Sequence, residues 1–275
     1  MDWFEALVLG ITQGVTEWLP VSSSGHLALV QRALGEEPSG MVGYDVVLHL
    51  ATVLVVAAFF WREIVAIVKD WLAGIMEASG SKDKKATLLG KRGRRLGWLI
   101  IVASVPTAII GFLLNEYVIS DAFSSLSFLA AGFMATGVLL LLTRFTPRKK
   151  RGYGPADAAK VGVAQGIAVL PALSRSGWTV GTSLLLGITP EEAGEFSFLL
   201  MIPAVLGASL LRFHDITTLA SSELPTILAG AAVAAVVGYA CLGLMLKAIR
   251  RQRVWWFAPY CLALGTSLLV CILVL

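Results

Sequence analysis

Charge is scarce in this 275-residue chain. Asp, Glu, Lys and Arg make up 15% of it, where a soluble domain carries nearer a quarter. Histidine and cysteine are scarce too, with three residues of each. Cys241, Cys261 and Cys271 all fall inside apolar stretches, and no spacing among them suggests a metal site or a disulfide framework. The opening residues Met1-Asp-Trp-Phe-Glu5 lack the basic stretch and small-residue cleavage site of a secretory leader, so membrane insertion is expected to rely on the spans themselves. What fills the chain instead is apolar: 57% of the residues are hydrophobic and the mean hydropathy is +0.79. Runs such as Leu96–Leu114, Leu126–Leu142, Pro225–Leu246 and Trp255–Leu275 reach the roughly 20 residues that cross a bilayer. The composition therefore predicts an all-α polytopic membrane protein.

A net charge of +4 would suit a nucleic-acid partner, but its placement argues against one. Lys82 to Arg95 holds seven basic residues, Arg144 to Arg151 five and Lys247 to Arg253 four, together 16 of the 22 Lys and Arg. All three clusters flank apolar spans, and the positive-inside rule puts all three in the cytoplasm. The connections between them are poor in Lys and Arg: Asn115–Ser124 carries Glu116 and Asp121, and Arg212–Glu223 has a single Arg. Trp residues fall mostly near span ends, as interfacial anchors do.

Two distant segments are versions of one another. The first reads Gly10-Ile-Thr-Gln13-Gly14-Val-Thr-Glu17-Trp-Leu-Pro20-Val-Ser22-Ser23-Ser24-Gly25-His26, and the second Gly162-Val-Ala-Gln165-Gly166-Ile-Ala-Val169-Leu-Pro171-Ala-Leu-Ser174-Arg175-Ser176-Gly177-Trp178. The offset is 152 residues throughout, except that the proline slips by one place. Each half then reads as a polar-tipped hairpin followed by three spans. Residues 1–151 form the first repeat, with a re-entrant hairpin over 3–34 and spans at about 44–61, 96–114 and 126–142. Residues 152–275 form the second, with a hairpin over 156–186 and spans at about 196–211, 225–246 and 255–275. With the basic clusters inside, the first hairpin enters from outside and the second from the cytoplasm. That is an inverted-topology repeat, a design in which broken helices meet near the midplane and build a site. Irregular backbone at that depth must be covered by protein or a wet cavity, so the two tips are expected to converge on a polar cavity.

The tips carry the candidate chemistry. Gln13 and Glu17 are four apart, on one face of a helix. Ser22, Ser23, Ser24 and Gly25 precede an apolar run, and such a helix start offers hydroxyls and free N–H groups to an anion. His26 follows, the natural proton carrier near neutral pH. In the second tip Ser174, Ser176 and Gly177 repeat the cap around Arg175, whose planar fork suits phosphate oxygens. Serine runs also serve as plain helix caps, and Arg175 could be held by Glu17 as a structural ion pair; that pair is compatible with a resting state that opens to receive phosphate. Asp45 with His49, and Glu195 with Ser197, read equally well as supports for the hairpins. His214 is expected to be solvated. Carboxylate, serines, histidine and arginine together fit phosphate-ester chemistry in a membrane.

Gln13-Gly-Val-Thr-Glu17-Trp-Leu-Pro-Val-Ser-Ser-Ser-Gly-His26, Pro171-Ala-Leu-Ser-Arg-Ser-Gly-Trp-Thr179 and Glu195-Phe-Ser-Phe-Leu-Leu200 resemble the undecaprenyl-pyrophosphate phosphatase family, the bacitracin-resistance proteins, over almost the whole chain. The resemblance implies an integral enzyme of the plasma (inner) membrane that removes one phosphate from a polyprenyl diphosphate and so recycles the lipid carrier of cell-wall glycan synthesis. It also implies a divalent cation, Mg²⁺ or Ca²⁺, and a site towards the outer face. By position it assigns Glu17 to the family's acidic motif, Ser22, Ser23 and His26 to its serine-histidine loop, and Ser174, Arg175 and Thr179 to its arginine loop. Gln13 departs, because many members have glutamate there; an amide offers a metal a neutral oxygen but no charge, leaving Glu17 with phosphate oxygens and Asp45 or Glu195 as further ligands. The acid-phosphatase-like lipid phosphatases need a His after the arginine, and Ser174 to Leu186 contains none. The attacking group stays open between Ser23 activated by His26 and His26 itself. A polyprenyl-phosphate flippase would use the same head-group residues, and a homodimer is allowed but not required.

Overall fold

In a computed structural model, described over residues 1–78, 91–117, 125–146 and 151–274, every named element is helical. The elements are α1 (Trp3–Thr16), α2 (Ser23–Ala33), α3 (Val42–Phe59), α4 (Trp61–Ala78), α5 (Arg92–Tyr117), α6 (Leu126–Leu142), α7 (Pro155–Ile167), α8 (Arg175–Leu185), α9 (Pro190–Leu211), α10 (Phe213–Thr217), α11 (Leu224–Arg250) and α12 (Ala258–Val274). Six of them, α3, α5, α6, α9, α11 and α12, are long and apolar enough to cross a membrane. Val105, Ile109, Val236, Leu244 and Leu273 lie exposed on these spans; that surface would drive aggregation in water and suits lipid. Residues 79–90, with part of the first basic cluster, the connection 118–124 and residues 147–150 lie outside the described residues, as does Leu275.

The helices begin and end where local chemistry requires. Asp2 and Glu5 form a reciprocal capping box at the start of α1, with bonds of 2.8 and 2.6 Å. Pro20 then prevents continuation, Ser22 turns the chain at φ 71°, and its side chain caps α2. Pro155 opens α7; Pro171 and Ala172, the latter at φ 58°, separate it from α8, which Ser174 caps. Both tips thus hold a non-glycine residue in the left-handed region, a conformation that costs about 1–3 kcal/mol and concentrates at functional sites.

The six long helices overlap the spans read from the sequence, and the differences at their ends have causes. α9 begins at Pro190, not near 196, because Thr189 caps it and Pro190 occupies its first turn; hydropathy alone discounts Glu191, Glu192 and Glu195. α5 begins at Arg92 and α11 runs to Arg250, since Arg is a good helix former and long basic side chains reach past the apolar zone. α4 is an element the sequence reading missed. It is too polar to register as a span, yet Ile64 and Ile67 pack on the core, Asp70 accepts from Gly93 N at 3.1 Å and Trp71 Nε1 donates to Arg94 O at 3.3 Å. It thereby covers the first turn of α5.

Packing exchanges elements between the halves. α1 lies on α11, α7 on α5, α3 on α9, and α6 on α12. Small residues set the approach: a Cβ on Gly14 would lie 2.8 Å from Ala234 O and 2.9 Å from Val237 Cβ on α11. Gly14→Val is therefore expected to cost about 1–3 kcal/mol through overpacking, read as a lower melting temperature in detergent. Gly207→Ala, at a position with open space around it, should leave melting unchanged or raise it.

Candidate functional site

The two tips touch reciprocally. A Cβ on Gly25 would meet Ala172 Cβ at 2.9 Å, and one on Gly177 would meet Pro20 Cβ at 3.2 Å. Ser176 Oγ donates to Leu19 O at 3.3 Å across the same junction. Two loops that each end in proline and a serine cap are thus held against one another by the glycines that follow.

Glu17 sits at this junction, only 5% exposed. Its Oε1 accepts from Arg175 Nη2, so the carboxylate of the first tip and the cation of the second form an ion pair. Its Oε2 accepts from Ser23 Oγ at 2.5 Å and from Gln13 Nε2 at 3.0 Å, which is the face-sharing expected of Gln13 and Glu17. His49 Nε2 lies 3.6 Å from the same oxygen. Among the described residues, Arg175 Nη1 and Gln13 Oε1 are buried without a hydrogen-bond partner. A small cavity beside the pair is lined by Glu17, Arg175, Ser176, Thr179, Ser197, Phe198 and Met201, with an internal volume of about 10 Å³, roughly one water. With the ion pair closed, that volume is too small for a group of several non-hydrogen atoms.

Other residues singled out from sequence take supporting positions. Ser22 accepts from Gly25 N at 3.3 Å and lies 3.3 Å from Ser24 Oγ. Ser174 accepts from Gly177 N at 3.1 Å and lies 3.2 Å from Ser176 Oγ. Thr179 is buried, donates to Arg175 O at 2.9 Å and is hydrogen-bonded to Ser197, so it steadies the arginine loop against α9. His26 stands apart from Ser23: its Nδ1 lies 2.7 Å from Ser22 O and its Nε2 2.6 Å from the Tyr260 hydroxyl. Among the bonds described Ser23 pairs with Glu17 and not with His26, because the first turn of α2 turns its hydroxyl back towards the end of α1.

Asp45 and Glu195 are likewise not beside Glu17 through any bond described: Asp45 accepts from Gln31 at 2.8 Å, and Glu195 pairs with Arg92 at 2.6 Å. His49 is the residue that sequence reasoning undervalued. Asp45 O holds its Nδ1 at 2.7 Å, which turns Nε2 towards Glu17. The signal available was its spacing from Asp45, but nothing in the sequence aims a side chain of α3 at the first tip. Trp18, fully buried against Phe198, departs from the interfacial role expected of most tryptophans.

The donor set defines what cation the site could take. Among the described residues no group of three or more His, Cys, Asp or Glu could hold a metal ion. One carboxylate and one orphaned amide oxygen instead suit a hard cation that draws its remaining ligands from phosphate oxygens and water.

Similar proteins match the chain along nearly their whole length. The chain is 41% identical over 271 aligned residues to an undecaprenyl-diphosphatase of Desulforapulum autotrophicum, covering 96% of each. It is 36% identical over 286 positions to one of Methanosphaera stadtmanae, covering all of both, and 38% identical over 267 to one of Salinibacter ruber. Residues 6–267 match the family described as Bacitracin resistance protein BacA, and the chain belongs to that family.

Proposed function

We propose that the protein hydrolyses undecaprenyl diphosphate to the monophosphate and inorganic phosphate, as an integral enzyme of the inner membrane with its site towards the outer face. The observation that carries this reading is the Glu17–Arg175 pair between the two tips, with Arg175 Nη1 left without a partner. An anionic head group that displaces Glu17 from the guanidinium gains charge-assisted bonds to a planar fork and frees a carboxylate to act as base. The outward placement rests on the basic clusters and the positive-inside rule. The inverted repeat of residues 1–151 and 152–275 is supported by the exchange of α1 onto α11 and α7 onto α5.

In the mechanism we favour, Ser23 Oγ attacks the terminal phosphorus while Glu17, already its hydrogen-bond acceptor, takes the proton. The bond from that phosphorus to the bridging oxygen breaks and undecaprenyl phosphate leaves. Water, losing its proton to His26, then attacks the phosphoserine phosphorus; the bond to Ser23 Oγ breaks, Glu17 returns its proton to that oxygen and inorganic phosphate leaves. Arg175 and the N–H groups at the starts of α2 and α8 neutralise charge developing on the transferred phosphoryl oxygens, the largest single contribution expected. Glu17 and Gln13 would hold Mg²⁺ or Ca²⁺, which would supply further neutralisation of the phosphates.

Phosphate release from undecaprenyl diphosphate by detergent-purified protein tests the reading, with the parent and Gln13→Glu assayed side by side across Mg²⁺, Ca²⁺ and Mn²⁺. The parent should release phosphate, and Gln13→Glu, by adding a second carboxylate, should lower the metal concentration needed for half-maximal rate several-fold. No hydrolysis with any cation, together with head-group translocation in liposomes, would replace the phosphatase by a polyprenyl-phosphate flippase.

A further inference from the structure

His26 is held on both ring nitrogens, and the two bonds together fix its chemistry. A backbone carbonyl only accepts, so the 2.7 Å contact with Ser22 O requires the proton on Nδ1. In the neutral imidazole Nε2 is then the lone-pair nitrogen, and the Tyr260 hydroxyl 2.6 Å away donates to it. The Tyr260 ring lies nearly parallel to the imidazole, at 5.7 Å and 11°, while Phe133 meets the imidazole nearly at right angles at 5.3 Å. Tyr260 reaches across from α12 and is 49% exposed. The nitrogen that a base or nucleophile needs is thus occupied at rest by a hydroxyl standing at the open side of the site.

A phenol has one proton and cannot donate to Nε2 and to a ligand together. Phosphate oxygens are anionic acceptors, and hydrogen bonds to them are roughly twice as strong as neutral ones. We propose that Tyr260 is a substrate-operated cap on His26. Without substrate its O–H occupies Nε2; when the diphosphate arrives, the same O–H turns to a phosphate oxygen, which uncaps the imidazole and adds a donor to the head group. His26 is thereby kept from the solvent and from stray electrophiles until there is phosphate to act upon. The capping half stands on the geometry of the pair, and the phosphate half rests on the phosphatase reading above.

Tyr260→Phe separates the two halves, since phenylalanine keeps the ring beside the imidazole and removes only the hydroxyl. Diethyl pyrocarbonate labels imidazole nitrogens through their lone pair, and peptide mass spectrometry reports each of the three histidines separately. His214, exposed on α10, serves as an internal reference in the same sample. The ratio of His26 to His214 labelling should rise at least fivefold in Tyr260→Phe, while kcat/KM for undecaprenyl diphosphate falls about tenfold or more, the loss expected for a hydrogen bond to a charged group. An unchanged labelling ratio overturns the cap. Raised labelling with unchanged kcat/KM overturns the exchange onto phosphate. A parent protein that hydrolyses nothing yet shows the labelling difference removes the phosphatase reading and leaves the capped histidine standing.

Discussion

Arg175→Ala is expected to lower phosphate release by about a thousandfold or more, the scale on which arginine side chains act in phosphoryl transfer. The guanidinium brings the cation of the second tip to a site whose carboxylate, Glu17, and histidine, His26, come from the first, with His49 of α3 beside Glu17. Its Nη1 is a buried donor without a hydrogen-bond partner, so a phosphoryl oxygen that enters when the pair opens finds a donor there that no protein group occupies. The same substitution also strands Glu17, a buried carboxylate, and breaking a buried pair from one side costs about 3–5 kcal/mol. Loss of activity alone would therefore be ambiguous. Arg175→Lys resolves it. Lysine restores a positive charge for Glu17, so melting in detergent should recover most of the way. It supplies a point charge in place of a planar fork, so turnover should remain at least tenfold below the parent. Activity that recovers in step with stability would mean that Arg175 only holds the tips together.

The architecture was legible because lipid simplifies the problem. A span must be apolar for about 20 residues whatever its neighbours, so α3, α5, α6, α9, α11 and α12 stand out from hydropathy. Charge placement and the repeated motif then suggest which segments are hairpins. α4 escaped because an amphipathic helix lying against α5 needs no long apolar run. At the site, the partnership of Gln13 with Glu17 and the caps of Ser22 and Ser174 follow from spacing within one helix turn. Partners that depend on where whole helices pack do not. Nothing in the sequence brings His49 to Glu17 or Tyr260 to His26, because these contacts come from α3 and α12 laid against the first hairpin. The bond from Ser23 to Glu17 was hidden for a related reason: residues three apart can share a helix face, but Ser23 stands in the first turn, where its hydroxyl reaches back to Glu17 at 2.5 Å.

His26→Ala is expected to abolish steady-state phosphate release while sparing the first chemical step. With Ser23 hydrogen-bonded to Glu17, attack on phosphorus does not require the imidazole. Hydrolysis of the resulting phosphoserine does require a base for water, and His26 Nε2 is the lone-pair nitrogen on that side of the loop. The variant should therefore release undecaprenyl phosphate in a single burst of about one equivalent and keep the phosphoryl group on the peptide that contains Ser23, where mass spectrometry finds it. Ser23→Ala should show neither burst nor label. The competing order makes the opposite forecast: with His26 as the direct nucleophile, the acid-labile phosphoryl group appears on His26 of the parent, and His26→Ala gives no burst at all. Stability does not confuse the comparison, because His26 is half-buried and its ring bonds join it to Ser22 O and Tyr260, not to the Glu17–Arg175 pair. A His26→Ala protein that turns over at the parental rate would remove the imidazole from the mechanism and leave Glu17 as the base for both steps.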